Sequence, residues 1–175
     1  DNRTGAGSLI GTEIAAKSNP DGYTLLATGT PFVIVPNLYK KVPFHPLKDF
    51  APIMQMASQP YGLVVHPSLG VKSVKELIVL AKKNPGKLSI STSGTGGLWH
   101  ELAAIIAQAA GIKLRFVPYK GGKPATLAGL QGEVDIAGGG VHEHIEFIKA
   151  GKLRCLQQTG TQDIKVPGGP VLPTV

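Results

Sequence analysis

The stretch ISTSGTGGLWHELAAIIAQAAG, residues 90–111, decides how this chain is read. A β-type run, KLSIS, stops at six residues with almost no side chain, Thr92-Ser93-Gly94-Thr95-Gly96-Gly97. A helix starts at once, with Leu98, Leu102, Ile105, Ile106 and Ala109 on one face and Gly111 at its end. Glycine between a strand and a helix weakens the fold locally unless the backbone itself has a task. A helix N-terminus presents unpaired N–H groups and about half a positive charge, which suits an anion. The spacing therefore predicts a loop that holds an anion with its amides, helped by the hydroxyls of Ser93 and Thr95. A carboxylate accepts such bonds without needing a counter-charge.

Outward from this stretch the chain alternates. Ser73-Val74-Lys75-Glu76 reads as a capping box opening a helix with Val74, Leu77, Ile78 and Ala81 on one face, stopped by Asn84-Pro85-Gly86. Strands are expected at 88–91, 113–117, 134–137 and 153–157. Further helices are expected at 98–110, from Pro124 to Gly132, and at 141–150 before Gly151. One pattern recurs as NPGKLSI, AGIKLRF, QGEVDI and AGKLRCL: helix, glycine, strand. It predicts an α/β fold with a parallel or mostly parallel sheet and helices packed on it. Residues 67–152 form one such domain. Residues 1–66 belong to another, with a helix at 8–17, strands at 23–27, 53–57 and 62–66, and no regular structure across the four prolines of 36–52. Residues 153–175 are expected to cross back toward the first domain.

In a parallel sheet the strand carboxyl ends share an edge, and ligands bind there. Three glycine-rich loops are expected at that edge: residues 92–97, Pro118-Tyr119-Lys120-Gly121-Gly122, and Gly138-Gly139-Gly140. One alone reads as a capped turn. Three together point to a binding site for a small organic anion. His100, in the first turns of the helix, either touches a ligand or packs and caps.

Other chemistry is poorly supported. The net charge is +7, but the lysines are spread singly with no arginine stripe or aromatic platform, which argues against nucleic acid. The single cysteine, Cys155, excludes an internal disulfide and any cysteine-based zinc cluster, and reads as a buried structural thiol. Gly5-Ala-Gly7-Ser-Leu-Ile-Gly11 has the wrong spacing for a dinucleotide fingerprint and no strand before it. His142 and His144 lie two apart on a helix and face different ways, so no metal is expected there and a solvated face is. No Ser–His–Asp set or carboxylate pair with interpretable spacing appears, and no cofactor motif. The competing class is a phosphate- or nucleotide-handling α/β enzyme, for which Glu133 and Asp135 are the nearest acids in sequence. No apolar run approaches the roughly 18–20 residues of a membrane span. The chain begins at Asp and reads as a trimmed piece.

With these residues in view, the sequence resembles the periplasmic solute-binding receptors of tripartite tricarboxylate transporters, the TctC or Bug type. DNRTGAGSLIGTEIAAKSNPDGYTLL, PNLYKKVPFHPLKDFAPI, VHPSLGVKSVKELIVLAKKNPGKLSISTSGTGG, VPYKGGKPA and IKAGKLRCL follow in that family's order. The resemblance implies a two-lobed, Venus-flytrap fold of the periplasmic-binding-protein type, with a carboxylate between the lobes. It also implies a periplasmic location, membrane subunits of the transporter as partners, and no enzymatic activity. This chain would lack the family's first strand and loop and its returning C-terminal segment. The family's loop after TLL falls on residues 27–36, which makes Thr28 and Thr30 ligand-binding candidates, with Val35 where the family has Asn. Its serine-rich loop falls on residues 92–100, keeping Ser93, Gly94, Gly96 and His100. Leu98 and Trp99 replace small polar residues. The family's Asp-Asn pair after the third strand becomes Gly139-Gly140, leaving backbone donors alone. The resulting candidate set is Thr28, Thr30, Ser93, Gly94, Thr95, Gly96, Gly97, His100, Tyr119, Gly139 and Gly140.

Overall fold

The computed structural model describes residue 3, residues 5–94 and residues 97–174. Thr95 and Gly96, both in the candidate set, lie outside the described residues. The chain divides into two compact units. One is Asp1–Met56 with Thr95–Leu98, and the other is Ala57–Gly94 with Trp99–Val175.

In the first unit, helix α1 (Leu9–Ala16) is entered through Ser8 in the left-handed region, φ 77°, and Thr12 Oγ1 donates to the Ser8 carbonyl at 2.8 Å. Helix α2 (Pro31–Leu38) occupies part of the stretch expected to be irregular. Pro31 sits at its start, where a missing N–H costs nothing, and Asn37 Nδ2 donates to the Val33 carbonyl at 2.9 Å next to the internal Pro36. Phe32, Phe44 and Phe50 meet with ring centroids 5.1–6.1 Å apart, so the proline-rich segment is held by aromatic packing in place of a backbone ladder. Residues 23–27 and 53–57, expected as strands, form none. A strand exists only with a ladder partner. Tyr23 and Ile53 are 91% and 74% exposed.

The second unit carries the alternation. Its strands are β1 (Tyr61–Val65), β2 (Ser89–Thr92), β3 (Arg115–Pro118), β4 (Ile136–Gly140) and β5 (Arg154–Gln158), in the sheet order β3-β2-β4-β1-β5. β2 runs parallel to β3 and β4, whereas β1 is antiparallel to both β4 and β5. The sheet is therefore mixed: β2 to β5 share one direction and β1 opposes it. The helix–glycine–strand repeat precedes each of β2 to β5 and sets their common direction, while β1 has no such unit before it. Gly86, Gly111, Gly132 and Gly151, which end the repeat's helices, all adopt φ between 62° and 74°, the left-handed cap that glycine supplies best. β1 and residues 153–174 lie in the same compact unit as the repeat. Past β5, a short hairpin pairs β6 (Ile164–Lys165) with β7 (Val171–Leu172).

Helices cover both faces. α3 (Val74–Lys83) and α4 (Leu98–Ala110) bury Leu77, Ala81, Trp99 and Ala103 against Val65, Ile90, Ile136 and Leu156. α5 (Gly122–Leu130) and α6 (Val141–Lys149) lie on the other face, where Val141 and Ile148 join Val64, Ala137 and Leu153. The capping box forms at α3, with Ser73 Oγ accepting from Glu76 N at 3.2 Å. Glu76 Oε2 returns to Lys72 N at 2.7 Å, one residue before the cap. Strand β2 is buried along its whole length, so its serines need partners. Ser89 N and Oγ both donate to Asp135 Oδ2 at 2.8 Å, and Ser91 Oγ donates to the Ala125 carbonyl at 3.0 Å.

Two corrections concern β4 and α6. Gly138-Gly139-Gly140, expected as a loop, is the end of strand β4, paired to Leu63, Gly62 and Tyr61 of β1. A Cβ on Gly138 would fall on the Trp99 indole, and one on Gly139 would come within 2.5 Å of Glu143 Oε2. The glycines are there because helical side chains fill the space. His144, expected on a solvated face, is fully buried. Its Nδ1 lies 3.1 Å from the Gly140 carbonyl and its Nε2 3.2 Å from Thr126 Oγ1, tying α6 to α5. A carbonyl only accepts, so Nδ1 carries the proton. Among the described residues, no helix is long and apolar enough to cross a membrane.

Gly138→Ala is expected to destabilise the protein by about 1–3 kcal/mol, the usual cost of overpacking. In a double-mutant cycle the loss should shrink when Trp99→Ala is also present, because the clash is between those two positions; urea denaturation measures both. Burial, the leading cause, lowers the His144 pKa, with the Glu143 charge opposing it. The unfolded state then binds more protons below about pH 6.5, so stability should fall as pH drops through that point and on toward the folded pKa. Urea midpoints at pH 7.5 and 5.5 should show a drop in the wild type that His144→Gln reduces.

Candidate functional site

The carboxyl ends of β2, β3 and β4 are Thr92, Pro118 and Gly140, side by side at one edge of the sheet. From Thr92 the chain enters the loop through exposed Ser93 and then Gly94, whose φ of 130° lies where side chains are rarely tolerated. It re-emerges at half-buried Gly97 and begins α4 at Leu98. At thirteen residues, α4 is the longest helix among those described, and the first four amides of any helix lack acceptors within it.

The β3 loop is fastened to the β2 loop, since Tyr119 N donates to the Thr92 carbonyl at 2.8 Å. Tyr119 O–H donates to Glu133 Oε2 at 3.4 Å. Desolvation first, and then the Glu133 charge, hold this phenol protonated above its ordinary range. The β4 end differs from the sequence expectation. Gly140 N donates to Glu143 Oε2 at 3.0 Å and Val141 N to the Pro60 carbonyl at 3.0 Å. The Gly140 amide is thus engaged inside the chain.

His100 stacks on Phe116 with centroids 4.9 Å apart and planes 17° apart, and Trp99 stacks on Tyr61 at 6.4 Å and 4°. His100 Nδ1, Trp99 Nε1 and Thr92 Oγ1 are buried with no hydrogen-bond partner among the described residues. Thr28 and Thr30 lie in the first unit; Thr28 is exposed, and half-buried Thr30 precedes α2 without a side-chain capping bond. Sequence reading took Thr92 as the edge of a loop and Trp99 as an apolar replacement, and did not foresee that their polar atoms are buried without a partner among the described residues. The available signal was a lone tryptophan in the first turn after a glycine loop.

Among the described residues, the acids nearest in sequence to the glycine loops are spread apart. Asp135 and Ser89 sit at the amino ends of β4 and β2, the opposite edge from the glycine loop. Glu133 meets Tyr119 O–H. Cys155 is half-buried, its Sγ donates to the Gln157 carbonyl at 3.4 Å, and burial pushes the thiol up to about 11, so it stays protonated. Among the described residues, no group of three or more His, Cys, Asp or Glu could hold a metal ion. The edge offers hydroxyl and backbone N–H donors and a helix end, groups that suit an anion.

The family described as "Tripartite tricarboxylate transporter family receptor" matches residues 1–174. A protein of the tcbD-tcbE intergenic region of a Pseudomonas species is 34% identical over the whole chain and 52% of its own length. BugT of Bordetella pertussis is 34% identical over 89% of the chain and 48% of its own. Among solved structures, the periplasmic binding protein BugD superposes with a TM-score of 0.87 at 32% identity, covering 99% of this chain and 57% of that one. An R. palustris protein solved with adipate gives 0.86 at 29% identity, covering 93% and 55%. The chain thus spans about half the length of the relatives it matches.

Proposed function

This chain belongs to the family of tripartite tricarboxylate transporter receptors, and from that premise we propose that the whole protein is a periplasmic receptor. It binds a small organic carboxylate and delivers it to the membrane subunits of a tripartite transporter. The observation that carries the reading is the loop of Ser93 and Gly94 leading from the buried end of β2 into α4, at the carboxyl edge of the sheet. That placement gives an anion backbone amides, a serine hydroxyl and the positive end of a helix. The relative solved with adipate supports a carboxylate as the ligand class. The proposed delivery requires reversible binding without chemistry, and among the described residues no Ser–His–Asp set or carboxylate pair is arranged at this edge.

Titration calorimetry of the full-length protein against succinate, malate, adipate and benzoate should give saturable binding of at least one acid. Ser93→Ala should weaken that acid about tenfold, since a hydrogen bond to a charged group contributes about 1.5–3 kcal/mol and about 1.4 kcal/mol is a factor of ten. Its thermal midpoint should barely move, because Ser93 is exposed. No heat from any carboxylate, or turnover of one, would refute the proposal.

A further inference from the structure

Beside α3 the surface of the second unit is concave. The loop of Leu69, Gly70 and Val71 and the helix residues Lys75, Glu76, Val79, Leu80 and Lys83 line an open groove of about 370 Å³. Val71 is buried, and half-buried Leu69 and Leu80 pack against the same core, so the apolar floor is held in place. Val79 is 53% exposed. A β-branched side chain in a helix loses rotamer freedom, so an exposed valine there adds nothing to helix stability. Helical spacing puts Lys75, Val79 and Lys83 on one stripe, at i, i+4 and i+8. Both lysines are exposed. The ion pairs among the described residues are Lys17–Glu13 and Lys149–Glu146, so neither lysine has a carboxylate partner there. Lys83 suits the negative end of α3, but Lys75 stands in its first turn, where the dipole opposes a cation. The one acid in the lining, Glu76, directs Oε2 to Lys72 N at 2.7 Å.

An occupant of this groove must bring an apolar side chain for the floor and anionic groups for the flanks. Eight residues of helix separate the two lysines, about 12 Å along the axis. A helix with the spacing Glu-x-x-x-Leu-x-x-x-Glu has the same span and the opposite charge. We propose that this groove docks an acidic helix of another protein, with its central apolar residue over Val79 and Leu80 and a carboxylate on each lysine. A second copy meeting through the same face would set lysine against lysine. A membrane surface takes up protruding apolar and aromatic side chains, whereas this face is concave and, among the described residues, lined by no aromatic. The proposal does not depend on which ligand the carboxyl edge of the sheet holds.

A fluorescein-labelled helical peptide with the Glu-x-x-x-Leu-x-x-x-Glu spacing, titrated into the full-length protein by anisotropy, should bind saturably and more weakly as salt rises. Lys75→Glu combined with Lys83→Glu should weaken it about tenfold, since each exposed attraction becomes a repulsion. The two reversals act oppositely on the α3 dipole, so the urea midpoint of the double variant should stay near that of the wild type. Val79→Ser should lower the affinity while leaving its salt dependence unchanged, because it removes apolar contact alone. Absence of saturable binding, equal affinity for the double variant, or equal affinity for a peptide with serine in place of the leucine overturns the proposal. So does a dimer in sedimentation that the double variant disperses, or binding to phosphatidylglycerol vesicles in place of the peptide.

Discussion

The Trp99 indole lies against the sheet because position 138 has no side chain, and much of the second unit follows from that contact. It fixes where α4 starts relative to β2 and β4, and so where the helix end stands at the carboxyl edge. It also explains why β4 ends in three glycines while remaining a strand: one face of that segment receives Trp99, the other Glu143 and His144. Removing the side chains from β4 lets helices on both faces approach the backbone closely. His144 then exploits that proximity by bonding the Gly140 carbonyl and Thr126 together.

The repeated helix–glycine–strand pattern was legible because its physics is local. Leu98, Leu102 and Ile106 follow helical spacing, Ser73 and Glu76 cap α3, and the terminating glycines take left-handed φ, each decided by a few neighbouring residues. The direction of β1 was not legible, since Tyr61–Val65 reads the same whichever way its neighbours run. Nor was the triple glycine, where local propensity says turn and the deciding atoms belong to residues 99, 143 and 144. Residues 23–27 and 53–57 have strand-like composition but do not form strands, so composition alone overcalled them. For the site, the loop of residues 92–97 was visible as a chemical anomaly. The engagement of the Gly140 amide by Glu143 was invisible, because a glutamate three residues on reads equally as a surface charge.

Charge divides its labour in this chain. A net +7 spread as single lysines raises the local concentration of small anions at long range, but such a field falls away over about 8 Å at physiological ionic strength and cannot choose among them. Choice requires groups at contact distance. Those at the edge of β2 include a threonine hydroxyl, an indole N–H and an imidazole. A buried lysine there would bring a desolvation cost and would leave an unpaired charge each time the ligand departed. Under the proposed receptor reading, uncharged donors and a helix end would hold an anion without that penalty, and a receptor that must release what it binds gains most from an attraction that disappears cleanly when the ligand does.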